Sequence, residues 1–120
     1  MTLRNIQTAL DQVPAPWQPH LLARLNDHEV KVVKLHGEFV WHTHPDTDEM
    51  FVVVSGVLTL QLRDGDVVLG PQDVYVVPRG VEHCPRADEE VSALLVELAG
   101  TQNTGDAGGA LTSETRELPR

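Results

Sequence analysis

Apolar residues in this chain recur at a period of two, in short bursts that backbone-turning residues cut off. Leu21, Leu22 and Leu25 lead to an Asn26-Asp27 turn, after which Val30, Val32, Val33 and Leu35 mark a second strand. Gly37 permits a bend or bulge before Phe39, Val40 and Trp41. Met50 to Val54 stops at Ser55-Gly56, and Leu58, Leu60 and Leu62 share one face of the stretch Val57 to Arg63. Asp64-Gly65 is a hairpin signal that returns Val67 to Leu69, and Gly70-Pro71 breaks that ladder. Asp73 to Val77, Glu82 to Cys84 and Val91 to Leu98 complete a set of about eight or nine short strands. Such a set, with one helix over residues 3–13 ended by Pro14 and Pro16, predicts an all-β antiparallel barrel or jelly roll.

The organisation that follows is a helix and arm over 1–17, a barrel over 18–99 and a polar tail over 100–120. Leu111 and Leu118 are the tail's only large apolar residues, so it is expected to lie loose, or else to reach over a neighbouring subunit. The remaining composition limits partners. Nine Lys and Arg against eighteen Asp and Glu leave a net charge of -9, which repels nucleic acid and anionic membrane. No apolar run approaches the ~20 residues of a membrane span. A lone cysteine, Cys84, cannot form an internal disulfide, and the N-terminus lacks the pattern of a secretory signal, so a cytoplasmic protein is expected.

Chemistry concentrates in His42-Thr43-His44-Pro45-Asp46-Thr47-Asp48-Glu49. Two histidines two residues apart point to the same face of a strand, and a short Pro-led loop brings Glu49 beside them. Pro78-Arg79-Gly80-Val81-Glu82-His83 supplies a third imidazole later in the chain. Three neutral imidazoles and one carboxylate suit one divalent transition metal ion, whether Fe, Mn, Zn, Ni, Co or Cu. His20, His28 and His36 lie outside these segments and are expected at the surface. Cys84 alternates away from His83 and reads as a buried, inert thiol. Asp88-Glu89-Glu90 reads as a solvated turn.

These two segments resemble the motifs of the cupin superfamily, and in particular its small single-domain, mannose-6-phosphate-isomerase-like members. The first motif, Gly, His-x-His, Glu and Gly, corresponds to Gly37, His42, His44, Glu49 and Gly56; the second, Pro-x-Gly-x-x-His, corresponds to Pro78, Gly80 and His83. The glycine that commonly opens the second motif falls on Gln72. The resemblance implies a double-stranded β-helix in which His42, His44, Glu49 and His83 point inward to a metal near one mouth, and a homodimer formed through sheet faces, for which Val30, Val32, Val52 and Val54 are suited.

A metal held by four protein ligands keeps about two positions free for water, dioxygen or substrate. The expected function is therefore a metalloenzyme acting on a small polar molecule, of dioxygenase or of isomerase or lyase type, with a non-catalytic binding or sensing module as the alternative. No motif marks a general acid or base. Phe39, Trp41, Phe51, Gln61, Tyr75 and Arg79 are candidates for the pocket wall, from their nearness to the ligands in sequence or on neighbouring strands.

Overall fold

The computed structural model describes residues 2–119. A short helix, α1 (Ile6–Asp11), precedes seven strands: β1 (His20–Leu25), β2 (His28–Glu38), β3 (Glu49–Ser55), β4 (Leu58–Leu62), β5 (Gly65–Leu69), β6 (Val74–Val77) and β7 (His83–Leu98). All strand pairs are antiparallel, in the order β1-β2-β7-β3-β6, while β4 pairs with both β5 and β7. This is the predicted all-β jelly roll with its one helix. Among the described residues, no helix is long and apolar enough to cross a membrane.

β7 organises the barrel. Its 16 residues merge two of the expected strands, Glu82 to Cys84 and Val91 to Leu98. Near its start it pairs with β4, and further on it lies between β2 and β3. Opposite β7, the β2 register jumps from Leu35↔Val91 to Gly37↔Ala87, so Asp88, Glu89 and Glu90 face His36 alone. The acidic run is thus a solvated bulge inside a strand, where a turn was expected. Surplus residues on one side of a ladder bend the strand, and here the bend carries β7 from its pairing with β4 to its pairing with β3.

Alternation decides what the barrel encloses. Val33 and Leu35 of β2, Phe51 and Val53 of β3, Leu58 and Leu60 of β4, and Ala93 and Leu95 of β7 meet in the main core. Val32 points the opposite way and joins Ala9, Leu10, Val13 and Leu118 in a second cluster under α1. The helix is shorter than the expected 3–13. Asn5 caps it, accepting from the Thr8 N–H at 3.0 Å, so Leu3 precedes the helix and lies exposed.

The tail is not loose. Leu118 is buried beside Val32, and Arg116 bridges to His20 of β1, with Leu21 N–H donating to Arg116 O at 2.8 Å and Arg116 N–H to Pro19 O at 2.9 Å. That bridge also buries His20, which was expected at the surface; its Nδ1 lies 2.8 Å from Gln18 O. His36 is exposed and His28 partly so.

Candidate metal centre

His42 sits just past the end of β2, where its backbone exchanges two 3.0 Å hydrogen bonds with His83, the first residue of β7. The loop before β7 is fastened to the His-x-His segment by Gly80 N–H donating to His44 O at 3.0 Å, and by Arg79 N–H donating to Asp48 Oδ1 at 2.8 Å. That second bond is the main reason the Asp48 carboxyl lies below its ordinary range. The His-x-His segment and the loop that carries His83 are thus held together by backbone bonds before any ligand side chain is considered. Glu49 opens β3 with its side chain inward.

The structure brings His42, His44, Glu49 and His83 together, each buried, with one donor atom from each within 4.8 Å of all the others. His42 Nδ1 lies 2.8 Å from Val40 O, and His83 Nδ1 lies 2.9 Å from Val81 O. A carbonyl only accepts, so both Nδ1 atoms carry the proton and both Nε2 atoms present a lone pair inward. His83 Nε2 is 3.2 Å from Glu49 Oε1 and His44 Nε2 is 3.5 Å from the same oxygen, yet His44 Nε2 has no hydrogen bond of adequate geometry. Lone pairs facing a carboxylate in a buried space repel unless a cation lies between them. The donor set and its orientation therefore fit a divalent metal ion.

Electrostatics agree. Burial, followed by the neighbouring His83, lowers His42 to about 4, which keeps it a neutral ligand.

A further group stands behind Glu49. Lys31 is in phase with Val33 and Leu35 and points inward; it is 1 % exposed, and its Nζ donates to Glu97 Oε1 at 2.9 Å. Glu97 lies one step beyond the Met50↔Val96 pair, beside Glu49. Its other oxygen, Oε2, is buried without an aligned partner, and burial together with the Glu49 charge raises its carboxyl well above the usual range. Alternation along β2 signals this buried lysine, but no ligand motif does.

Of the pocket-wall candidates, Phe39 and Phe51 line an internal cavity of about 30 Å³ together with His42 and Glu49. Phe39 meets His42 edge-on at 5.4 Å and stacks on Trp17 at 4.5 Å, while Phe51 meets His83 edge-on at 6.3 Å. The structure places the other four elsewhere. Trp41 lies under the Arg63 guanidinium at 3.6 Å, and the Gln61 amide donates to Cys84 O at 3.3 Å. Tyr75 packs against the main core, and Arg79 serves the loop that carries His83. Cys84 is buried, and its burial and the Glu38 charge raise the thiol. Trp17 and Asn103, which no motif marks, complete the cavity wall from the arm and the tail.

The family model described as "Cupin domain" matches residues 29–98, more than half of the chain. A crystal structure of a cupin-2 domain containing protein from Shewanella frigidimarina superposes with a TM-score of 0.78 at 41% identity, covering 80% of this chain and 94% of that one. Protein YdbB of Bacillus subtilis is 31% identical over 96 residues, 79% of this chain and 85% of its own length. An oxidoreductase of Arthrobotrys oligospora is 36% identical over 55 residues, which are 45% of this chain but 22% of that protein. With the barrel, the two motifs and these matches in agreement, the chain belongs to the cupin domain family.

Proposed function

We propose that this chain is a metalloenzyme that binds one divalent transition metal ion through His42, His44, Glu49 and His83 and acts on a small polar molecule. The observation that carries the reading is the convergence of four buried donor atoms within 4.8 Å of one another, with His83 Nε2 and the unpartnered His44 Nε2 both facing one Glu49 oxygen, an arrangement that a bound cation stabilises. When bound, the ion supplies a Lewis acid with free positions for a substrate or for dioxygen. The protein supplies the remainder: Val40 O and Val81 O fix the tautomers of His42 and His83, and Phe39, Phe51, Leu35 and Leu95 keep bulk water from the inner side. Similarity to an oxidoreductase supports the dioxygenase type over the isomerase or lyase type. The buried free thiol of Cys84 suits the reducing cytoplasm, where we place the protein.

One observation favours the alternative, a binding or sensing barrel. Beyond His42 and Glu49, the polar side-chain groups on the cavity wall among the described residues are the Trp17 indole N–H, which is donated to His36 O, and the Asn103 amide, both ends of which are engaged elsewhere. The two readings separate in a screen of metal-loaded protein against oxidisable and isomerisable small molecules. Turnover lost in His42→Ala supports the enzyme, whereas saturable ligand binding without turnover supports the sensor.

We further propose a homodimer. The outer face carries two cross-strand rows, Val30–Val96–Met50–Val76 and Val32–Leu94–Val52–Val74. Packing under α1 and Leu118 takes Val32 out of the expected interface, and Val54 is partly covered there too. Val30, Met50, Val52, Val74, Val76 and Val96 remain for the second copy, with Val74 and Val76 the most exposed of them.

A further inference from the structure

Residues 101–106 lie between two spaces that both border the metal ligands. On the inner side is the cavity of about 30 Å³, with His42 and Glu49 in its wall and Asn103 as its tail residue. On the outer side is a cleft of about 320 Å³ bounded by His44, Pro45, Asp46 and Thr47 and by tail residues that include Gly105 and Asp106. The inner space has room for about one water, whereas the outer one is of the size that takes a small ligand.

The partition is fastened by polar contacts. Asp106 Oδ1 accepts from Thr43 N–H at 2.8 Å, and Asp106 N–H donates to Thr43 O at 3.1 Å. Asn103 Nδ2 donates to Trp17 O at 3.2 Å and to Leu111 O at 2.9 Å, while its Oδ1 accepts from Ser113 N–H at 2.8 Å. The tail backbone runs so close to the ligand segment that a Cβ on Gly105 would stand 2.1 Å from Thr43 O and 3.1 Å from His42 Cδ2. The larger apolar side chains that anchor it are on β7 before the segment, at the half-buried Leu111 within it and at Leu118 after it. Within 101–110 the apolar side chains are alanines, and Gly100, Gly105, Gly108 and Gly109 all have positive φ.

We propose that residues 101–113 form a gating strap whose opening joins cavity and cleft and decides which molecules reach the metal ligands. Closed, it admits water-sized molecules to the inner side; open, it admits a compact polar molecule. Asp46 and Asp106 on the cleft wall favour neutral or cationic molecules over anions. This inference rests on the metal-centre reading and deepens it.

The test uses full-length protein loaded with Co(II) and the neutral chelator 1,10-phenanthroline, following the loss of the cobalt visible absorption. Asn103→Ala and Asp106→Ala are each expected to speed extraction about five- to tenfold, as the loss of one or two hydrogen bonds implies, with equilibrium Co(II) occupancy unchanged. Rates equal to wild type in both variants would overturn the strap. Hydrogen exchange on the wild type needs no variant. The amides of Thr43, Asp106 and Ser113 are expected to exchange at least about 100-fold faster than those of Ala93 and Leu95 in β7. Exchange at the same rate as β7 would show that the strap opens only with global unfolding, and would overturn the proposal too. Failure of the wild type to take up Co(II) would instead sink the metal centre, and amide exchange would still decide the strap.

Discussion

His42 pairs a structural requirement with a proton cost. Its pKa stands at about 4 in the folded chain against the ordinary 6.5, so the unfolded chain binds the extra proton between those values. Stability of the metal-free protein should therefore be unaffected by this group above about pH 6.5. It should fall as pH drops through that value and level off below about 4, for a total of roughly 3 kcal/mol. Denaturant titrations of wild type and His42→Gln at pH 7 and pH 5 measure it: the wild type should lose stability relative to the variant, and equal losses would contradict the assignment. The clustering of His42, His44 and Glu49 was legible in sequence because they lie within eight residues around a Pro-led loop, although His42 and His44 sit in the loop after β2 and not on a strand as expected. Asn103 was not, because its place depends on where a polar tail folds back. Gln72 shows the limit of residue type as a guide. It stands where the motif commonly has glycine, yet adopts φ 72°, so the backbone conformation is kept at some strain.

Among the elements, turns were easier to read than strand lengths. Asn26-Asp27 joins β1 to β2 as expected, and the β4–β5 hairpin turns on Arg63-Asp64, one residue before the Asp64-Gly65 signal. The continuity of β7 through Asp88–Glu90 was hidden, since three acidic residues look alike in a turn and in a bulge. At the opposite side of that corner Gly56 has φ 85°, and a Cβ there would meet Glu90 O at 2.8 Å; Gly37, at φ 82°, has open space around it. Gly56→Ala should thus cost roughly 2–3 kcal/mol and Gly37→Ala roughly 1–2. Thermal melts compare them, and equal losses would remove the role of the close approach. The Lys31–Glu97 pair belongs to this scale too. Lys31→Met strands a buried carboxyl beside Glu49 and should cost about 3–5 kcal/mol, while Lys31→Met with Glu97→Leu should recover most of it. A double variant as unstable as the single would show that the pair does more than satisfy itself.

For the molecule as a whole, the sequence pattern specified the jelly roll but not its closure. The tail reads as disordered by composition, and it folds because Arg116 finds an edge of β1 and Leu118 finds the gap beneath α1. The same docking covers Val32 and so removes it from the proposed dimer face. Light scattering at micromolar concentration should give twice the chain mass for wild type and the monomer mass for Val76→Lys; a monomeric wild type would refute the dimer. The candidate metal centre draws on every scale: side chains from the loop after β2, the start of β3 and the start of β7, tautomers fixed by Val40 and Val81, and a tail packed against Thr43. Its most direct test is elemental analysis of protein purified without added metal, beside the His42→Ala, His83→Ala double variant. Near one metal ion per chain in the wild type and none in the folded variant is the expected result. Absence of metal from both, with none taken up on later loading, would contradict the metal centre and leave a metal-free binding barrel.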